Sequence, residues 1–478
     1  MIAIVLGLYV AAVLVVGFVA NRQSKDTPEA YFLAGRSLGT VVLFMALFGT
    51  NATAFVLVGI PGKAYHGGIE TFGLNASLCA LGIPLVFWAI GSPARKMAAR
   101  LDAITPAEVF TKRFDAPRLG YFLVGLFVLY TLPYMVTAVK GAAITLDGVT
   151  QGAVPQWLGG LGVTIVALSY TLLGGMRATA WTNVLQGSLF LLFMVVAFFV
   201  MSSSMGGLEA AMQKVIDHDP QLLVKPKGGA LFTPQGWSSW AMVISLTVIA
   251  FPHMLVRLMS GASDNALRHV SRLYPIAMVL LWLPAVMIGV WGAAAFPGLE
   301  GKASDRIFAL MATNYLPEWL AALGFVAVVA AVMSTLDAQL LTLSSMLTRD
   351  VLKRFRPIKE VQTGKVFCVL IAFAVYGLAQ VWGASVFEIA SIAFSGYVTL
   401  VPALFMTVRW KGFTAAGAWT SILVGNLILL LGIKGLIPLG GFLPIFWGVV
   451  LGSIAGVVVS RRSTSVAPER IARAFGVK

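Results

Sequence analysis

Apolar runs of roughly 17 to 30 residues recur along the whole chain, and about 20 residues at 1.5 Å each suffice to cross a bilayer core as a helix. They predict spans over residues 2–20, 40–63, 70–92, 119–148, 157–174, 181–202, 238–257, 275–297, 317–346, 365–383, 387–408, 412–434 and 440–460. The fold class expected is therefore an all-α polytopic membrane protein of about 13 transmembrane helices. The first run carries no basic residue ahead of it, and its first cation, Arg22, follows it. That is the wrong polarity for a secretory signal, so the run is expected to be a helix of the bundle. The longest outer connection, 203–237, mixes Gly, Pro and charge and has room for a short interfacial helix.

Two spans break the apolar pattern. The second reads Gly49-Thr50-Asn51-Ala52-Thr53-Ala54 and then Gly59, Pro61 and Gly62; the seventh carries Ser245 and Thr247 and then Phe251-Pro252-His253. Gly and Pro are tolerated in membrane helices where neighbours satisfy the backbone, but discontinuous helices at corresponding places in two repeats also mark transporter substrate sites. Counted from the second span, these are helices one and six of a five-plus-five arrangement. The expected organisation is 1–39 as a leading helix and loop, 40–202 as the first repeat, 203–237 as the outer loop, 238–408 as the second repeat, and 409–478 as two further helices with a short basic tail.

A third feature lies in the ninth span, where Ser334, Thr335 and Asp337 interrupt an otherwise apolar stretch. At about 100° per residue, Ala331, Ser334, Thr335 and Ala338 share one face with Asp337 on its flank. A carboxylate near the bilayer centre costs roughly 2.5 to 3.5 kcal/mol and usually faces a cavity, a partner or an ion path. Two hydroxyls among small residues could hold a dehydrated cation against a neighbouring helix. They could equally serve as helix–helix glue.

Composition agrees with the pattern: of 478 residues, 59% are hydrophobic and 11% charged, and mean hydropathy is +0.89, which leaves no soluble domain. A net charge of +15 would suggest nucleic acid in a soluble protein, but its distribution points elsewhere. With the N-terminus outside, about 26 of the 34 Lys and Arg fall in cytoplasmic segments, as the positive-inside rule requires. No nucleic-acid partner is expected; the partners are membrane lipid and a small solute, and the chain is expected as a monomer or weak oligomer in the bacterial inner membrane with its C-terminus cytoplasmic. Cys79 and Cys368 both lie in apolar runs and offer no metal spacing or redox pair. Four histidines without ligand spacing, and no nucleophile paired with a base, argue against an enzyme. The different-class alternatives are a channel, against which an interrupted-helix pair without a filter-like repeat favours alternating access, and a transporter-like sensor, for whose signalling domain the tail is too short.

Five segments in order resemble the sodium:solute symporter family. They are Tyr31-Phe32-Leu33-Ala34-Gly35-Arg36, Ile60-Pro61-Gly62-Lys63, Gly174-Gly175-Met176-Arg177 with Trp181-Thr182-Asn183, Pro252-His253-Met254-Leu255-Val256-Arg257, and Ser334-Thr335-Leu336-Asp337 with Thr348-Arg349-Asp350. The resemblance implies a LeuT-like inverted-repeat fold with one extra helix in front and two behind, and sodium-driven solute uptake. It implies a Na+ site made by the carbonyls of Gly49, Ala52 and Ala331 and the hydroxyls of Ser334 and Thr335. Family members often carry Asp where this chain has Asn183, so a second sodium site is doubtful. Asn183 and Asp337 are then expected to tune the ion site, and Asp337 could instead carry a proton. Leu132-Pro133-Tyr134 through Lys140, with Thr53-Ala54-Phe55, resembles the monocarboxylate permease branch. A small monocarboxylate is accordingly the expected solute, with amino acids the alternative, and Thr50, Asn51, Thr53, Phe55, Lys140, Ser245 and Tyr397 the expected substrate residues. Lys140 either faces an anionic solute or snorkels to the outer interface. His253 is expected to be packed and hydrogen-bonded.

Overall fold

The computed structural model describes residues 2–22, 27–224 and 229–476, and they form a bundle of membrane-length helices. Ten helices are long and apolar enough to cross a bilayer, and two further crossings are bent pairs: Thr40–Asn51 with Phe55–Gly67, and Pro234–Ala250 with Pro252–Met259. One of the ten, Gln156–Ser204, has 49 residues, enough for two crossings, and it is broken at Gly175. Among the described residues this makes ten to twelve candidate spans, or about thirteen crossings if that long helix counts twice, close to the number expected.

Each break has a local cause. Pro252 has no N–H to donate and pushes Phe251 into an extended conformation (φ −62°, ψ 120°), so the chain turns by 53° there. The first break has no proline. The helix stops at Asn51, Ala52 turns extended (φ −84°, ψ 94°), and the Thr53 hydroxyl accepts from the Phe55 amide at 3.0 Å to start a π-helical turn, with a bend of 50°. Gly175 sits at φ 55°, ψ −148°, where a Cβ would lie 2.5 Å from the Tyr31 carbonyl; glycine alone fits.

The helix Glu318–Met346 forms the centre. Every residue from Gly324 to Met346 is buried, which explains why its apolar residues run all round rather than along one stripe. The helices Ile2–Arg22, Ala415–Ile433 and Pro444–Arg462 lie at the periphery with long lipid-facing apolar surfaces. The outer loop contributes the helix Leu208–His218, as its composition predicted, and Leu222 accepts from the Ile69 amide at 2.8 Å; residues 225–228 of that loop lie outside the described ones.

Candidate cation and solute site

The first break lies directly against the central helix. Ser334 Oγ donates at 2.8 Å to the Gly49 carbonyl, or at 2.8 Å to that of Ala331. Thr335 Oγ1 lies 2.9 Å from the Thr50 carbonyl and 3.2 Å from that of Ala331. The Thr50 hydroxyl reaches back to the Ser334 carbonyl at 3.2 Å. Three carbonyls and two hydroxyls thus converge where the broken helix has freed its backbone oxygens, and all five residues are buried. The Thr50 carbonyl, not among the expected ligands, belongs to this cluster, and Ala52 is the first extended residue after it. Among the described residues no cluster of His, Cys, Asp or Glu could hold a metal ion, so the donor set is neutral oxygen, suited to a hard monovalent cation.

Below this cluster runs a buried polar chain. Arg257 Nη2 pairs with Asp337 Oδ1 at 3.3 Å, both fully enclosed, and Tyr170 donates to Asp337 Oδ2 at 2.9 Å. Asn183 lies between this pair and Thr50. With its amide turned so that every atom meets a complementary partner, its oxygen accepts from Arg257 Nη2 and, as the alternative to the Ser334 carbonyl, from Thr50 Oγ1, each at 3.0 Å, and its nitrogen donates to Gln186 Oε1 at 2.9 Å. Gln186 in turn donates to Tyr9 of the first helix at 3.0 Å. Asp337 is therefore no isolated carboxylate. Its carboxylate is met by a guanidinium and a phenol.

A small cavity of about 20 Å³ lies between the two breaks, lined by Asn51, Phe55, Tyr134, Thr247, Phe251, Trp282 and Phe394 among others. It has room for about one water. Phe55 packs edge-on to Phe394 with ring centres 5.0 Å apart, and Phe251 stacks on Tyr134 at 4.9 Å.

Of the expected substrate residues, Asn51 and Phe55 line this cavity, Thr53 caps the turn beside it, and Thr50 belongs to the oxygen cluster. The other three lie away from it. Lys140 donates at 2.7 Å to the carbonyls of both Trp382 and Ala384, beside Asp305 and Arg306 at the opposite end of the bundle from the basic segments, which is the snorkelling alternative. Ser245 donates to the Leu78 carbonyl at 3.2 Å in a helix–helix contact; Thr247, two residues and about 200° further round the helix, takes the place expected of it. Tyr397 is a layer behind, hydrogen-bonded to Thr131 and edge-on to Phe251 at 4.9 Å. His253 is packed against Phe251 as expected, but neither ring nitrogen finds a hydrogen-bond partner. Arg257 was missed as a buried cation because it falls on the last residue of its predicted span. The signal was the lone carboxylate, which calls for an intramembrane partner.

The sodium:solute symporter family profile matches residues 31–425, most of the chain. The chain belongs to the sodium:solute symporter family. It is 29% identical to the sodium/proline symporter of Escherichia coli (strain K12), over 95% of this chain and 91% of that protein, and 26% identical to that of Staphylococcus aureus (strain RF122), over 96% and 91%. A substrate-bound, outward-open Na+-coupled sialic acid symporter superimposes with a TM-score of 0.79 at 19% identity, covering 98% of both chains. The fold is thus the LeuT-like arrangement of transporters, not of enzymes, and the family is that of Na+-coupled solute symporters.

Proposed function

We propose that this sodium symporter carries a small amino acid of the proline class, with one cation held by the carbonyls of Gly49, Ala52 and Ala331 and the hydroxyls of Ser334 and Thr335. The Thr50 carbonyl stands beside that set. The observation that carries the cation reading is the approach of both hydroxyls to carbonyls freed by the first break. The two hydroxyls hold those carbonyls together by donating to them, and turning their protons aside gives the same oxygens over to a cation.

The solute reading rests on the cavity lining. It is aromatic and apolar with Asn51, Thr247 and the Tyr134 hydroxyl as its polar groups, and it contains no charged side chain. An anion buried there would have no charged side chain beside it and would depend on the coupled cation alone for its countercharge, because Lys140 lies elsewhere. A zwitterion brings its own charges close together. Its carboxylate suits the amides and helix end at the breaks, its ammonium suits freed carbonyls, and its apolar body suits Phe55, Phe251 and Trp282. Relatives named sodium/proline symporters support the same class. The monocarboxylate expectation drew on the resemblance, on the unwound backbone around Thr50 to Ala54 and on Lys140; Lys140 lies away from the cavity, and the unwound backbone serves the carboxylate of a zwitterion equally well.

Residues 40–202 and 238–408 are read as the two repeats that rock around this site, with the N-terminus outside and the basic end cytoplasmic in a bacterial inner membrane. The deciding test is competition in proteoliposomes under a sodium gradient. Excess proline should block uptake of labelled proline and excess pyruvate or lactate should not; sodium-driven uptake blocked by pyruvate alone would reject the amino-acid reading and leave the symporter intact.

A further inference from the structure

Three helices present exposed apolar residues that lead to cations around one pocket at the basic end of the bundle. On the helix Glu70–Arg100, Leu81, Leu85 and Trp88 recur at i, i+4 and i+7 on one exposed face that continues to Ser92 and Lys96. On Asp264–Ala295, the exposed Ile276 follows Arg272 and Arg268 at four-residue steps. On Val386–Arg409, exposed Phe405 precedes Arg409 by one turn. Lys96, Arg268, Arg272 and Arg409 meet in a cavity of about 390 Å³ floored by Trp88 and Asp264.

The charges do not cancel. Asp264 is the one carboxylate of the pocket, and it is already engaged by Lys96 and by Arg95, whose Nε lies 3.2 Å from it. Arg409 lies over the Trp88 ring and donates to the Ala89 carbonyl at 2.7 Å. Arg268 and Arg272 have neither an ion pair nor a hydrogen bond among the described residues, and they stand one helical turn apart, where like charges repel. A bound anion relieves that repulsion. The apolar stripes running away from the same pocket call for an acyl chain attached to it.

We propose that this pocket binds the phosphodiester headgroup of an anionic phospholipid, its acyl chains lying along the stripes of Leu81, Leu85, Ile276 and Phe405. Arg268 and Arg272 supply the charge, and Trp88 sits at the headgroup level where an amphipathic ring is favoured. The assignment is independent of the solute and cation reading.

The test is a lipid titration of the full-length protein in neutral detergent, followed by native mass spectrometry, with phosphatidylglycerol, phosphatidylcholine and inorganic phosphate as probes. Wild-type protein should retain phosphatidylglycerol in preference to phosphatidylcholine, and inorganic phosphate should not displace it. Each cation near an anionic headgroup is worth about fivefold in affinity, so the Arg268→Gln/Arg272→Gln variant should bind phosphatidylglycerol roughly 30-fold more weakly with phosphatidylcholine unaffected. Arg272→Gln alone, expected to lose about fivefold, keeps the test open if the double variant does not fold. Equal retention of both lipids, unchanged binding by the variants, or displacement by inorganic phosphate would overturn the assignment, the last in favour of a soluble anion.

Discussion

Replacing Ser334 by Ala isolates one ligand of the proposed cation site, and its consequence can be bracketed from the geometry. A hydroxyl on a charged partner is worth about 1.5 to 3 kcal/mol, against about 1 for a neutral hydrogen bond. Without a cation the same hydroxyl can bond the Gly49 or Ala331 carbonyl, each 2.8 Å away, so the variant loses a neutral bond in one state and a charged one in the other. The difference, about 0.5 to 2 kcal/mol, predicts a rise of roughly 2- to 30-fold in the sodium concentration for half-saturation. Binding of radiolabelled sodium to purified protein measures it directly, and the sodium dependence of uptake should shift equally with the maximal rate retained. Ser345→Ala is the control, since Ser345 lies on the same helix, is buried, and bonds only the Thr342 carbonyl at 2.7 Å. Half-saturation unchanged in Ser334→Ala, or shifted as much in Ser345→Ala, would refute the reasoning.

Asp337→Asn leaves Arg257 buried without its countercharge and should cost about 3 to 5 kcal/mol in thermal unfolding, whereas Arg257→Met/Asp337→Leu should cost markedly less; equal losses would mean the two are not coupled. Burial pushes Asp305 up to about 6, even though its carboxylate accepts from the Val386 amide at 2.9 Å. Because the folded value lies above the unfolded one, its contribution is fullest below about pH 4 and is lost as pH rises through about 6, a change of about 3 kcal/mol. Asp305→Asn should flatten that part of the stability profile, and an unaltered profile would discount it. Lys140→Met removes two bonds to loop carbonyls and should leave the solute concentration for half-maximal uptake within about twofold of wild type; a large rise would return Lys140 to the site.

What was legible in the chain follows from what is local. Span positions come from apolar run length, and the second break from Pro252, whose ring dictates the conformation of Phe251. The first break was visible only as a region, because Ala52 to Ala54 hold no proline and the extended turn at Ala52 depends on the central helix offering Ser334 and Thr335 to the freed carbonyls. The face shared by Ser334 and Thr335 needed only helical periodicity. The aromatic cage needed more: Tyr134, Phe251, Trp282 and Phe394 come from four helices far apart in sequence and are individually indistinguishable from lipid-facing aromatics such as Trp88. Ser245 and Thr247 show the limit at its sharpest, since both are hydroxyls in the broken helix and only the packing of Gly82 against Ser245 says which one faces inward.

The charge inventory at mid-depth ties the cation to the solute class. Arg257 and Asp337 cancel, the oxygen cluster is neutral, and the cavity brings no charged side chain, so the site has no net charge before it is loaded. Loading one Na+ with a zwitterion makes it +1; loading one Na+ with a monocarboxylate leaves it neutral. Only the first is driven by membrane potential, by about 2.3 kcal/mol per 100 mV, or roughly fifty-fold accumulation with no sodium gradient. Proteoliposomes with equal sodium on both sides and a potassium diffusion potential, inside negative, set by valinomycin, separate the two. Accumulation of the solute above its external concentration is expected, and its failure in vesicles that do accumulate under a sodium gradient would exclude one cation with a zwitterion.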